Sequence, residues 1–204
     1  LRLALALDRP VRRVQVEGTF QRVAPPEIEA AVAEVVRGGL ATVDLDGVRG
    51  RIEDIDWVDH AVVQRRWPDT LRVVVAEEVA AARWNYTGLL NARGELFLRN
   101  ARYVPPELPL LEGPDGSEGI VAQLYLYAQG RLLEAGVRLA GVRLDERGAW
   151  ELRLANGVSV RLGRLAVTDR LDRFVRLATP LVAKRAAEIC YVDMRYTNGF
   201  SVGW

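Results

Sequence analysis

The chain has 204 residues, of which 50% are hydrophobic and 27% are charged, and its 28 basic and 27 acidic side chains leave a net charge of +1. This length can bury one large core or two modest ones, and the charge balance argues against a dedicated nucleic-acid-binding protein, which needs a basic surplus. The single cysteine, Cys190, excludes an internal disulfide, and with the single histidine, His60, it cannot build a His/Cys zinc site.

The sequence carries no recognisable catalytic motif. It has no glycine-rich phosphate loop, no Gly-x-Ser-x-Gly nucleophile elbow and no His-Glu-x-x-His zinc pair. Cys190 lies in the apolar run EICYV, which predicts a buried and unreactive thiol. We therefore expect a binding or scaffold protein with no catalytic residues, no metal and no cofactor.

The opening segment LRLALALDRP, residues 1–10, is apolar but short. No stretch of the chain reaches the roughly 20 apolar residues that cross a bilayer. From composition alone, this segment is either a frayed tail or the last turns of a membrane helix.

The first half of the chain predicts a compact module with the element order β-α-α-β-β. Apolar and polar residues alternate in VRRVQVE, as in a half-buried strand. Prolines suit the first turn of a helix, where no backbone donor is needed, and aspartate is a typical N-cap. The predicted elements are a strand at 11–17, a helix from Pro25 to the Gly38-Gly39 pair, a helix at 45–52 capped by Asp44, and strands at 58–65 and 70–77.

The second half predicts a mostly antiparallel sheet with two helices. Apolar residues recur at helical spacing in two segments, and the Asn156-Gly157 pair is a strong signal for a two-residue hairpin. In chain order the predicted elements are a hairpin at 82–98 that bends at Ala92-Arg93-Gly94, an irregular proline-rich segment at 105–114, a helix at 117–135, three strands within 137–163, a helix capped by Thr168 and kinked at Pro180, and a final hairpin.

These patterns predict an α+β protein with two domains. The first would take residues 11–79 and the second residues 80–204. The boundary falls in the short run EEVAAAR, residues 77–83, so we expect a stiff joint without a long linker.

The final hairpin, AEICYVDMRYTNGFSVGW at residues 187–204, alternates in polarity and is rich in aromatic residues. It reads as a strand, an Asn198-Gly199 turn and a short second strand. Edge strands present unpaired backbone N–H and C=O groups, which proteins usually protect with charge or proline. Residues 200–204 carry neither, so the hairpin is either ordinary core or an edge left open for another chain.

Several strings in the chain have a familiar order and spacing. They are QRRWPDTLRV at 64–73, ARWN at 82–85, AWELRL at 149–154, GRLAVTDRLDRFVRL at 163–177 and YVDMRYTNGFSVGW at 191–204. In this order they resemble the FtsQ/DivIB family of cell-division proteins, over residues 8–204.

The resemblance implies a short cytoplasmic tail, one inner-membrane helix, a POTRA domain at 11–79 and a C-terminal β domain at 80–204, the last two in the periplasm at the division septum. Residues 1–10 then become the periplasmic end of the anchor. The family is a non-enzymatic scaffold of the divisome. Its implied partners are FtsB and FtsL, the septal synthase FtsW-FtsI reached through them, and FtsK and FtsN.

The resemblance also implies that the last strand accepts a segment of FtsB by β-strand addition. Aromatic anchors, an apolar wall and cations would surround that strand, whereas the alternative is that the aromatics pack the sheet and the arginines are merely solvated. The implied contacts are Tyr196 and Trp204 as anchors, Leu177 as wall, Arg147 and Arg195 as cations for acidic groups, Asn198 and Gly199 as the turn, and Phe200, Ser201 and Val202 along the edge.

In the POTRA module the resemblance implies a recruitment face for upstream division proteins. Val63 and Arg65 match the positions that the family uses, and His60 lies on the same predicted strand. The alternative is an ordinary edge strand with solvated polar residues.

Two other classes remain open from the residues alone. A POTRA-bearing component of an outer-membrane assembly or secretion system would need a transmembrane β-barrel of strands about ten residues long. A periplasmic amidase or peptidase would need a nucleophile with a base, or a metal cluster. The second half has soluble-type helices and too few strands for the first class, and the motifs of the second are missing.

Overall fold

The computed structural model describes residues 8–204. The predicted anchor end therefore lies outside the described residues, apart from residues 8–10. The chain divides into two compact units, with the division between Val79 and Ala80. Among the helices formed by residues 8–204, none is long and apolar enough to cross a membrane.

The first unit has the predicted order β-α-α-β-β. Its sheet has the strand order β1-β3-β2, in which β1 runs parallel to β3 and β2 runs antiparallel to it. The two helices form the crossover that a parallel β1–β3 pair requires. The elements are β1 at Arg13–Glu17, α1 at Pro25–Val35, α2 at Leu45–Glu53, β2 at Val58–Arg66 and β3 at Thr70–Glu77.

Local signals in the sequence explain where the two helices of this unit begin. Proline occupies the first turn of α1, and the Asp44 side chain accepts a hydrogen bond from the Asp46 backbone N–H at 3.1 Å at the start of α2. Both helices bury apolar residues, such as Ile28 of α1 and Ile52 of α2, in one core cluster with Leu71 of the sheet. The predicted caps and periodicity of this unit are confirmed.

Glu77, the last residue of β3, holds the segment before α1 in place. Its carboxylate accepts backbone N–H groups of Gln21, Arg22 and Val23 at 2.8–3.1 Å. Burial by itself would raise the pKa of Glu77, but these three backbone donors outweigh it and lower the pKa below its ordinary value of 4.5. The ionised carboxylate therefore stabilises the folded unit.

We predict that Glu77→Gln destabilises the first unit by about 1 kcal/mol at pH 7, because the charged acceptor of three N–H groups becomes a neutral one. A lowered folded pKa contributes stability above the unfolded pKa, which is lost as the pH falls through the folded value. The deficit should therefore shrink below about pH 4.5. Urea denaturation at pH 7 and pH 3 would measure this, with the exposed Glu29→Gln as the control; an equal deficit at both pH values would contradict it.

The second unit contains a nine-stranded sheet with the order β12-β11-β10-β9-β8-β7-β4-β5-β6. Five neighbouring pairs are antiparallel and three are parallel. The strands are β4 at Ala82–Trp84, β5 at Gly88–Leu90, β6 at Leu96–Leu98, β7 at Leu110–Glu112, β8 at Leu139–Leu144, β9 at Trp150–Leu154, β10 at Ser159–Gly163, β11 at Tyr191–Asp193 and β12 at Ser201–Gly203.

Helices cover one face of this sheet. The core contains alternate residues of the central strands, such as Leu152, Val160 and Val192, packed against Leu132 and Phe174 of the helices. The helical segments are α3 at Glu118–Glu134, α4 at Val167–Leu177, α5 at Thr179–Arg185 and a 3₁₀ turn at Ala186–Glu188. The prediction of a mixed, mostly antiparallel sheet is confirmed.

Three local predictions for the second unit are wrong. The proline-rich segment is not wholly irregular, because β7 follows Pro109 and lies between β4 and β8, parallel to both. Thr168 does not cap α4, whose N-cap is Ala166 with φ +49° and no side-chain bond. Pro180 does not merely kink this helix. It lies in the first turn of a new helix, α5, so the unit has three α-helices instead of two.

The predictions for the final hairpin also need correction. Residues 194–200 form a seven-residue connection between β11 and β12, and neither Asn198 nor Gly199 has the positive φ of a two-residue type I′ turn. Cys190 is exposed in the bend before β11, so the predicted buried thiol is wrong. The sequence signal for a tight turn is overridden by side-chain contacts to the connection, described below.

Candidate functional site

The outer edge of β12 ends the sheet of the second unit. Within residues 8–204, β12 pairs with β11 alone. The Gly203 carbonyl accepts the Cys190 backbone N–H at 2.8 Å, so the backbone groups of Gly203 point towards β11. Because successive residues of a strand point their backbone groups to opposite sides, those of Val202 point towards the open edge. The edge therefore offers a donor and an acceptor to another strand.

Three of the side chains that the resemblance implies as partner contacts are large, apolar and exposed. Tyr196 is 57% exposed, Trp204 60% and Leu177 48%. Phe200 and Val202, by contrast, are partly buried and pack against the core. The structure therefore contradicts the alternative in which Tyr196 and Trp204 pack in the core.

Trp204 is held at the surface by a stacked cation. The guanidinium carbon of Arg185 lies 4.4 Å from the centre of the Trp204 ring, a typical cation–π distance. Arg185 in turn pairs with Glu188, with Nε 3.2 Å and Nη2 2.5 Å from its carboxylate oxygens. The indole is therefore both exposed and oriented.

A second stack explains the glycine at position 203. The guanidinium carbon of Arg161 lies 3.9 Å from the centre of the Tyr191 ring. A Cβ atom at Gly203 would overlap that ring. Only glycine lets Tyr191 lie across β12 and under Arg161, and this packing fixes β12 against β11.

Arg195 is bound to a buried carboxylate. Its Nε lies 2.9 and 3.0 Å from the two Asp193 oxygens and its Nη2 lies 2.6 Å from Oδ2, while Asp193 is 4% exposed. The hydrogen bonds from Arg195 lower the pKa of Asp193, against the opposing effect of its burial. The Arg195 side chain remains 58% exposed, so part of its guanidinium is accessible to a ligand.

Two arginines of α4 hold the connection between β11 and β12. Arg173 Nη1 donates to the Thr197 carbonyl at 2.6 Å, and its Nη2 donates to the carbonyls of Met194 and Tyr196 at 2.8 and 2.7 Å. Arg170 Nη2 donates to the Arg195 carbonyl at 3.1 Å. Our reading of the sequence missed these contacts, although the three-residue spacing in DRLDRF already placed both arginines on one side of the helix.

Arg147 lies in the turn between β8 and β9. Its backbone N–H donates to Asp145 Oδ1 at 2.9 Å, and its side chain is exposed. It lines a polar cleft together with Arg143, and Arg143 also lines a neighbouring cleft with Arg195. The two predicted cations therefore border adjoining clefts on the helix-free side of the sheet.

The three residues predicted for the first unit do not form one face. His60 is exposed, with Nδ1 2.9 Å from Asp59 Oδ2, whereas Val63 is partly buried against the core. The Arg65 guanidinium donates to the carbonyls of Leu40 and Val43, both at 2.7 Å. Burial alternates along β2, so His60 lies on the opposite side of the strand from Val63 and Arg65.

The fold and this edge define a class of protein. A β-α-α-β-β unit with this strand order, followed by a mixed sheet with helices, is the architecture of a POTRA-bearing protein. Residues 9–78 match the FtsQ-type POTRA domain, and residues 82–195 match the C-terminal domain of the cell division protein FtsQ/DivIB. The chain belongs to the FtsQ/DivIB family of cell-division proteins, which are not enzymes.

Individual relatives agree with this assignment. The chain is 38% identical to the cell division protein FtsQ of Allochromatium vinosum, over 96% of this chain and 78% of the relative. It is 36% identical to that of Xanthomonas campestris pv. campestris, over 95% and 69%, and 35% identical to that of Hahella chejuensis, over 97% and 71%. The outer-membrane assembly and enzyme alternatives find no support in these matches.

We predict that Gly203→Ala destabilises the second unit by about 1–3 kcal/mol, because the added methyl group must displace the Tyr191 ring. Gly199→Ala is the matched control, since a Cβ atom there meets no neighbouring atom within 4 Å. Urea denaturation of both variants would measure the difference. Equal stability of the two variants would show that the Tyr191 stack does not fix β12.

Proposed function

We propose that this chain binds FtsB by β-strand addition to the open edge of β12 and thereby acts as a scaffold of the divisome. The observation that carries the proposal is the outer edge of β12, which pairs with no strand among residues 8–204, has neither charge nor proline and is flanked in the chain by exposed Tyr196 and Trp204. Through FtsB the chain holds FtsL, and through both it is linked to the septal synthase FtsW-FtsI.

The chemistry of the edge fits an extended peptide. A strand added next to β12 gains backbone hydrogen bonds at Val202, while the neighbouring side chains determine which sequence is accepted. Tyr196 and Trp204 are exposed aromatic groups of the kind that dominate binding energy at interfaces, and Leu177 extends the apolar surface. The edge is three residues long, so these side chains supply most of the specificity.

Electrostatics favours acidic groups on the FtsB segment. Arg147 and the exposed part of Arg195 border adjoining clefts. Arg195 also neutralises Asp193, so its loss would both weaken a contact and leave a buried carboxylate without its partner. Asn198, Gly199, Phe200 and Ser201 shape the path into the edge without offering charge.

The family also supports a location for the chain. We propose that it lies on the periplasmic side of the bacterial inner membrane at the division septum. The POTRA unit would then be the contact for upstream proteins such as FtsK, and FtsN is a further proposed partner of the chain.

For that contact we propose the outward side of β2, which carries His60, whereas Val63 and Arg65 lie on the other side of the strand and hold it against the unit. We predict that Arg65→Leu lowers the stability of the first unit by about 1–2 kcal/mol, since two carbonyls lose their donor. His60→Ala should leave stability unchanged and reduce septal localisation of the full-length protein in cells. Wild-type localisation of His60→Ala would remove His60 from the face.

The β-addition proposal makes a backbone-specific prediction. Val202→Pro removes the N–H that points to the open edge and keeps the hydrogen bonds to β11, and proline is tolerated on an edge strand in this orientation. We expect this variant to keep its fold and to bind the periplasmic segment of FtsB at least about tenfold more weakly, as isothermal titration calorimetry would measure. Val202→Ala, which keeps the N–H, is the matched control.

Two further variants test the anchors. Tyr196→Ala and Trp204→Ala should each weaken binding about 30-fold, the equivalent of about 2 kcal/mol. A thermal unfolding midpoint equal to that of the parent would verify that each variant is folded. Absence of binding by the parent, or full binding by Val202→Pro, would exclude β-strand addition at this edge.

A further inference from the structure

We propose that Arg170 and Arg173 of α4 are positioning residues that hold the connection 194–200 in its binding-competent shape before any partner arrives. This inference rests on the proposed function of the β12 edge. It adds two residues that themselves need touch no partner, and it explains how a short terminal strand can present a defined surface.

The side chains at the two ends of the connection, Met194 and Phe200, pack with the core, and the Arg195 N–H donates to Asp193 Oδ1 at 3.0 Å. The last backbone bond in the β10–β11 ladder is from the Met194 N–H to the Arg161 carbonyl at 2.9 Å. Beyond it, residues 195–200 belong to no strand or helix. Four consecutive carbonyls, from Met194 to Thr197, nevertheless all accept hydrogen bonds from the two arginines of α4.

The arginine fork suits this task better than other side chains. Guanidinium groups carry several donors in a fixed plane, so one side chain can bind carbonyls that point in different directions. Arg173 uses two nitrogens for three carbonyls, and its Nε is buried without a hydrogen-bond partner within residues 8–204. The orientation of this guanidinium is therefore dictated by the connection.

The same arginines link the connection to the rest of the unit. Arg170 Nη1 also donates to the Leu162 carbonyl of β10 at 2.6 Å. Arg170, Arg173 and Leu177 recur at i, i+3 and i+7, which places them along one side of α4. Arg173, which binds the Tyr196 carbonyl, therefore lies on the same side of α4 as the exposed Leu177.

The hydrogen bonds from Arg170 and Arg173 to the connection, here called the clamp, have a kinetic consequence for binding. When only a fraction of molecules is binding-competent, the apparent dissociation constant rises by the inverse of that fraction. Loss of the clamp lowers this fraction and therefore lowers the association rate. Loss of a direct contact such as Tyr196 instead acts mainly on the dissociation rate.

The first experiment needs no partner. Amide hydrogen exchange of the free chain would compare the parent with Arg173→Leu and with the milder Arg170→Leu. We expect exchange in residues 195–203 to accelerate at least about tenfold in Arg173→Leu, with β8 and β9 unchanged. Arg176→Leu is the matched control, because Arg176 is an exposed arginine on the same helix. Unchanged exchange in both clamp variants would overturn the inference.

The second experiment measures association and dissociation rates with the periplasmic segment of FtsB. For Arg173→Leu we expect an approximately tenfold lower association rate, a nearly unchanged dissociation rate and parent-like exchange in residues 195–203 at saturation. A loss confined to the dissociation rate would make Arg173 a contact residue and refute the positioning role. If Arg173→Leu does not fold, Arg170→Leu and Arg173→Lys carry the same comparison.

The two experiments separate two failures. Should the parent not bind FtsB while exchange still accelerates in Arg173→Leu, the clamp stands and the proposed partner is wrong. Should the parent bind while both clamp variants exchange and associate like Arg176→Leu, the partner stands and the clamp is wrong.

Discussion

The C-terminal unit depends on one constraint, which is that an open β-sheet must end on a strand whose outer backbone groups have no partner. Burying those groups without hydrogen bonds would cost free energy, so they remain accessible at the surface. At this end of the sheet lies β12, which has three residues and, among residues 8–204, the single neighbour β11. The contacts around it can be understood as ways to keep so short a strand in place while its outer edge stays open.

Arginine supplies most of these contacts. Arg161 and Arg185 stack on the aromatic rings of β11 and the chain end, Arg195 neutralises a buried aspartate, and α4 provides the forks that hold the connection. Lys184 is the only lysine in the chain. A lysine ammonium could not replace these groups, because it lacks the planar fork and stacks less readily on aromatic rings. The arginine-rich composition therefore has structural consequences, whatever its origin.

Elements with strong local signals could be predicted from the sequence. The elements of the first unit agree with the predicted caps and alternation of polarity, because Asp44 and Pro25 act on residues close to them in the chain. Thr168 and the Asn198-Gly199 pair carried equally strong local signals and were misleading. At Asn198-Gly199 the backbone follows the carbonyl contacts of Arg173, which come from a helix about 25 residues earlier.

The candidate site was likewise predictable from the sequence only in part. The uncharged, proline-free residues 200–204 left ordinary core and an open edge as alternatives, and the family resemblance favoured the open edge. The strand β7 and the stack of Tyr191 over Gly203 could not be anticipated, because both depend on which strands become neighbours in the sheet. Pairing between distant segments is set by the packing of the whole unit, and no local pattern in three residues encodes it.

An open edge is also a liability, because it can pair with any exposed strand. Length limits that risk here: a three-residue edge offers outward backbone groups mainly at Val202, too few to hold an arbitrary strand. A partner must therefore gain the rest of its binding energy from side chains. The exposed indole of Trp204, oriented by Arg185, and the phenol of Tyr196, placed by Arg173, are the groups in position to provide it. In the proposed binding mode, selectivity at this edge would thus follow from a small backbone contribution and fixed aromatic positions.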